Sequence, residues 1–125
     1  MAVKPAAAVH RSYGNDRKTI AVRFFPDSTT DPTFVGDYEI ASVTRDGTGV
    51  YTVTCRSSHS KVLGVSVCLG LGTPALHAVV AEIDNDGTGA PLEVQVTRLD
   101  AEGNAADDTA DADTWISLVV EVEDG

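Results

Sequence analysis

The apolar residues of this chain recur at every second position in run after run, a period that suits strands burying one face and suits little else. "KTIAVRFF" (18–25) aligns Ile20, Val22 and Phe24, and "VYTVTCR" (50–56) aligns Tyr51, Val53 and Cys55 inward against Thr52, Thr54 and Arg56. "YEIASVTR" (38–45) puts Tyr38, Ile40 and Ser42 on one face and Ala41 and Val43 on the other. "VLGVSVCL" (62–69), "ALHAVVAEI" (75–83), "LEVQVTRL" (92–99) and "TWISLVVEV" (114–122) continue the pattern. Gly, Asp, Asn and Pro clusters separate the runs, and β-branched residues fill them. A chain of 125 residues holds one domain. The expectation is therefore all-β: a single β-sandwich or jelly-roll-like domain of about seven antiparallel strands over 18–125. Residues 74–83 could instead form a short helix begun by Pro74, but Val79, Val80 and Ile83 favour a strand.

Asp-Gly-Thr-Gly occurs twice, at 46–49 and 86–89, each time between strand candidates. Glycine admits the positive φ of a tight turn and Asp bonds its own backbone, so hairpin turn chemistry accounts for both. The second copy also offers calcium-loop spacing: Glu82, Asp84, Asp86, then Gly87, with Glu93 after five intervening residues. An EF-hand loop needs a helix on each side, whereas a strand pattern begins after Pro91. The metal reading stays the minor one, and the sequence calls for no cofactor.

Cys55 and Cys68 lie on opposite strand parities if 50–56 and 61–69 form a hairpin turning near Ser58, which argues against a disulfide and for two buried free thiols. His10, His59 and His77 are dispersed, and "RSSHSK" (56–61) reads as a polar hairpin tip rather than as part of a catalytic triad. The string "GVSVCLGLGTP" (64–74) lacks the Lys-Ser/Thr of a phosphate loop and reads as a strand entering a loop. Trp115, in step with Ser117 and Val119, reads as a core anchor. No catalytic constellation emerges.

The formal charge of −10 opposes phosphate-backbone binding, so nucleic acid is not expected as a partner. No run approaches the ~20 apolar residues of a membrane helix, and 1–18 lacks a secretory apolar core. The charge is unevenly placed. Residues 1–23 carry Lys4, Arg11, Arg17, Lys18 and Arg23 against Asp16 alone, while 100–125 carry nine acids and no cation. Opposite-sign patches steer encounter and fix register between subunits. Residues 1–17, with Pro5 and an alanine run, have little periodicity and read as an extended arm. The acidic stretch 100–113 reads as a long loop facing solvent or a neighbour.

The runs "VTRDGTGVYTVTC", with Gly47, Gly49, Tyr51 and Val53, "ALHAVVAEI" and "LEVQVTRLDAEGNAADDTADADTWISLVVEV" together resemble the β-domain of tailed-bacteriophage virion proteins, found in capsid decoration proteins and in tail fibres. The resemblance spans roughly residues 41–122. It implies a small non-enzymatic virion component, commonly a homotrimer, built on a β-sandwich. A short chain opening on Met, with an arm opposite in charge to its body, fits a decoration or cement protein on the outer capsid better than a long fibre. In that reading the arm, through Lys4, Pro5, His10, Arg11, Tyr13 and Arg17, clamps neighbouring major capsid protein subunits. The alternative is a tail-fibre or receptor- or carbohydrate-binding module, which the scarcity of aromatic residues disfavours.

Overall fold

The computed structural model of the chain describes residues 17–27, 29–59, 61–70, 78–85, 90–100, 102–107 and 114–123. Among them run eight strands: β1 (Arg17–Phe25), β2 (Thr33–Gly36), β3 (Ile40–Gly47), β4 (Val50–Cys55), β5 (Lys61–Gly70), β6 (Ala78–Asn85), β7 (Glu93–Leu99) and β8 (Trp115–Glu123). They form two antiparallel four-stranded sheets, one ordered β2-β1-β8-β5 and the other β3-β4-β7-β6, packed face to face as a β-sandwich. Alternation explains why. Ile20, Val22 and Phe24 of β1 lie opposite Val120, Leu118 and Ile116 of β8, and Tyr51 and Val53 of β4 lie opposite Val96 and Val94 of β7. These side chains are buried from both sheets into one core, closed by Ile40, Val43, Cys55, Leu92 and Val122. Each fully buried aliphatic side chain contributes about 1.5–3 kcal/mol. The tilted Phe24 and Tyr51 rings, 5.4 Å apart, join the two layers.

The eighth strand, β2, escaped the periodicity because all four of its residues are exposed. It lies at a sheet edge, where no buried face imposes alternation. Two bulges also alter the expected phases. One between Ile40 and Ser42 lets Ile40 and Val43 both turn inward, where strict alternation sets them on opposite faces. The other, between Val62 and Gly64, turns Val62, Val65, Val67 and Leu69 toward the core and leaves Leu63 outside.

Several expectations are corrected. Strands β4 and β5 are not a hairpin: β4 pairs with β3 and β7, while β5 pairs with β8 in the other sheet. The segment "RSSHSK" therefore crosses between layers, and His59 within it is 4 % exposed rather than at a polar tip. Both thiols are free, but only Cys55 is buried; Cys68 is exposed on the outer face of its sheet. Trp115 also faces outward, because β8 buries the other parity, Ile116, Leu118, Val120 and Val122. Tyr38 belongs to a turn and not to β3, and is 85 % exposed. Arg17, assigned to the arm, is the first residue of β1, opposite Glu123. The strand favoured over a helix at 74–83 is present as β6 from Ala78.

Candidate interaction surfaces

Three connections meet at one end of the sandwich, and the first Asp-Gly-Thr-Gly turn is their hub. Gly49 has φ +69°, a backbone state that glycine adopts without a Cβ penalty. Its N–H donates to Asp107 Oδ1 at 2.8 Å, and its carbonyl accepts from Arg98 N at 2.8 Å. Ala106 N donates in turn to the Arg98 carbonyl at 3.0 Å. The backbone of Ala106 thus lies directly against Gly49. Arg45 Nη2 reaches the other Asp107 oxygen at 2.7 Å. Burial pushes the Asp107 carboxyl up, but the Arg45 hydrogen bond, the Gly49 N–H and the Arg45 charge together hold it below the usual carboxylate range. Asp46 closes the turn by accepting from the Thr44 and Thr52 hydroxyls.

The β1–β2 connection is tied to the same end. Asp27 Oδ1 accepts from Thr29 N at 2.9 Å, Thr29 Oγ1 at 3.1 Å and Thr30 N at 3.2 Å, and these bonds, the Thr29 N–H first, hold its carboxyl below the usual carboxylate range. Tyr51 Oη donates to the Asp27 carbonyl at 3.1 Å, and Arg45 N to Asp31 Oδ1 at 2.8 Å. The Arg98 side chain, 1 % exposed, satisfies its guanidinium on the carbonyls of Ala78 and Leu99. A buried cation needs such acceptors, since burial without them is costly. Residues 102–107 are accordingly clasped to the body rather than extended from it; 108–113 lie outside the described residues.

At the opposite end Glu39 accepts from Ser57 N at 2.9 Å and stands 3.6 Å from His59 Nε2. Burial, and then the Glu39 charge, push the Cys55 thiol up to about 11, which keeps it protonated and inert. On the outer face of the first sheet the Arg23 guanidinium lies 4.0 Å from the Trp115 ring, and that ring covers Gly70, where no Cβ would fit.

Among the described residues the exposed large apolar side chains lie on or beside edge strands. Phe34 and Val35 are on β2, Tyr38 follows it, Leu63 is on β5, and Val80 and Ile83 are on β6. Strands β2 and β5 are the two edges of one sheet, and β3 and β6 those of the other. Because β2 neighbours β3 and β5 neighbours β6, these residues lie along the two lateral flanks of the sandwich.

Of the arm residues named above, Lys4, Pro5, His10, Arg11 and Tyr13 lie outside the described residues, and Arg17 is exposed at the start of β1. Of the calcium-spaced set, Glu82 and Asp84 are exposed on β6, Glu93 is half-buried on β7, and Asp86 is not described. Among the described residues no three His, Cys, Asp or Glu side chains converge as metal ligands. Strands β6 and β7 pair antiparallel on either side of the second Asp-Gly-Thr-Gly, as a hairpin turn requires. Arg98 was visible in the sequence as a charged residue in phase with Val94 and Val96. The Arg45–Asp107 pair, 62 residues apart, carried no local signal. No protein-family model, curated protein or solved structure matches the chain.

Proposed function

We propose that the chain is a structural component of a tailed-bacteriophage virion: a decoration protein that binds the outside of the head, as a homotrimer, and stabilises contacts between major capsid protein subunits. The observation that carries this reading is the placement of exposed apolar side chains on or beside the edge strands of a sandwich whose charged turn residues are largely engaged in holding its own loops. Lateral apolar edges serve protein contacts, because unpaired strand edges and apolar patches are normally covered. The sequence adds a basic N-terminal segment against an acidic body, and a segment that orders on binding can wrap a large surface without a pocket. Lys4, Pro5, His10, Arg11 and Tyr13 are the residues assigned to that clamp, with Arg17 at its junction with β1. Truncating residues 1–16 is expected to abolish saturable binding to undecorated capsids while leaving the thermal transition of the body in place; unchanged capsid occupancy would refute the clamp.

One observation favours a second reading. Tyr38, 85 % exposed with Arg56 stacked on it at 4.6 Å, is the kind of ring a carbohydrate- or receptor-binding module presents. If that reading holds, Tyr38→Ala removes binding to host cell-surface glycans; unchanged glycan binding by the variant would exclude it.

A further inference from the structure

Strands β2, β5, β3 and β6 stand at sheet edges, and an edge with unpaired peptide groups accepts another strand unless something blocks it. Three of the four carry such a block. β2 has only four residues; β3 is interrupted by bulges at Ile40–Ser42 and Arg45–Gly47, with its Arg45 N–H taken by Asp31; β6 carries exposed Glu82 and Asp84 and a bulge at Ile83–Asn85. β5 is ten residues long, its one bulge lies at its start, and from Val62 to Gly70 it holds neither charge nor proline. Among the described residues it pairs only with β8. We infer that β5 pairs antiparallel with β5 of a second copy, across a two-fold axis at Val67, joining two four-stranded sheets into one of eight strands. This contact is additional to the three-fold assembly proposed above and does not rest on it.

The sequence of the edge selects a second copy as its occupant. Residues 64–70, Gly-Val-Ser-Val-Cys-Leu-Gly, read alike by class in both directions: Gly64 and Gly70 at the ends, then Val65 and Leu69, then Ser66 and Cys68, about Val67. A two-fold axis at the centre sets glycine opposite glycine, aliphatic opposite aliphatic and small polar opposite small polar, the self-complementarity that an isologous contact needs. The apolar members also have surface left to cover. Val65, Val67 and Leu69 pack against the core yet are only half-buried, whereas Val120, Leu118 and Ile116, opposite them on β8, are buried. On the outer face the Trp115 ring lies over Gly70, and the Gly64 brought opposite it has open space for that ring to extend into.

The backbone phase agrees. Ala21 lies opposite Asp37 in continuation of the β1–β2 register, and both its peptide groups point that way: its carbonyl accepts from Asp37 N at 3.1 Å and its N–H donates to Asp37 Oδ2 at 2.8 Å. Antiparallel pairing alternates, so Ile20, Val22 and Phe24 turn theirs to β8, Val119, Ser117 and Trp115 turn theirs to β5, and Ser66, Cys68 and Gly70 answer them. The peptide groups of Val65, Val67 and Leu69 therefore face the open side. A two-fold at Val67 uses these three: Val67 exchanges bonds with its own copy, and Val65 with Leu69 of the second copy.

The register can be read by disulfide formation. Ser66 stands opposite Cys68 of the second copy in a non-hydrogen-bonded pair, Cα atoms about 4.5 Å apart and within disulfide reach, while Cys68 meets its own copy only on the diagonal, at about 7–8 Å, beyond it. The full chain carrying Ser66→Cys, air-oxidised with copper phenanthroline, is expected to run as a covalent pair of chains on a non-reducing denaturing gel. The wild type and the double variant Ser66→Cys/Cys68→Ser are each expected to run as single chains, and an equimolar mixture of those two, with one edge cysteine per chain, is expected to give the pair again. Both positions are exposed, and circular dichroism checks that the strands are kept. Single chains from Ser66→Cys and from the mixture, or equal crosslinking in every sample, overturn the contact. Crosslinking that appears only after residues 1–16 are removed assigns the edge to the chain's own N-terminal segment and overturns it too. Capsid binding, measured separately, bears on the decoration reading alone.

Discussion

Replacing Gly49 by alanine should loosen the whole loop-bearing end of the sandwich. The left-handed backbone at φ +69° costs a non-glycine residue about 1–2 kcal/mol. The new methyl carbon would stand 2.7 Å from Ala106 N and closer still to the Ala106 carbonyl oxygen, a collision with backbone that no rotamer change relieves. Relief requires the 99–107 segment to move, which weakens the Gly49–Asp107, Arg98–Gly49 and Ala106–Arg98 hydrogen bonds; overpacking of this kind costs about 1–3 kcal/mol. The sum is about 2–5 kcal/mol, and at roughly 3 °C per kcal/mol for a chain of this size the thermal midpoint should fall by about 6–15 °C. Two glycines provide the comparison. Gly103 has φ +86° but open space around its missing Cβ, so Gly103→Ala should cost only about 1 kcal/mol. Gly47 has neither constraint, and Gly47→Ala should change stability by less than about 0.5 kcal/mol. Differential scanning calorimetry of the three variants gives the ranking. Equal midpoints for Gly49→Ala and Gly103→Ala would refute the close contact between the turn and Ala106.

Acid should release the same clasp. The Asp107 carboxyl is held below its ordinary value of 3.8 in the folded chain, so its stabilisation is present at higher pH and disappears as pH falls through the folded value. Between pH ~5 and ~2 the wild type should lose more of its thermal midpoint than Asp107→Asn, and parallel losses would count against the linkage. Tyr51→Phe removes the bond to the Asp27 carbonyl and should cost about 1 kcal/mol in denaturant titration, with near-wild-type stability as the contrary result. A maleimide at neutral pH should modify exposed Cys68 alone, because the Cys55 thiol is buried and pushed up to about 11; a second adduct on the folded chain by mass spectrometry would contradict that burial.

The strands were legible because burial on one face forces alternation, and the runs around Phe24, Tyr51, Val94 and Leu118 obey it. What alternation cannot carry is pairing. A five-residue link between two strands reads alike whether it closes a hairpin or crosses between sheets, and the link after Cys55 crosses. Bulges at Ile40–Ser42 and Val62–Gly64 shift phase without altering composition, so that Val62 and Val65 both face the core while Leu63 does not. For β8 the signal was present and Trp115 obscured it: the opposite parity is uniformly apolar, whereas the tryptophan shares its face with Ser117, Glu121 and Glu123. At the loop-bearing end, Arg98 stands in the apolar phase of Val94 and Val96, a signal that the reading of the sequence passed over. Asp107 was one acid among many, and only the fold brings it to Arg45 and Gly49.

Direct binding to the head tests the central claim. On the proposed reading, purified chain titrated onto undecorated tailed-phage capsids, with bound and free protein separated by sedimentation, is expected to saturate at a fixed multiple of three copies per capsid symmetry axis. Absence of saturable binding, with the chain remaining in the supernatant at all concentrations, would contradict the decoration account.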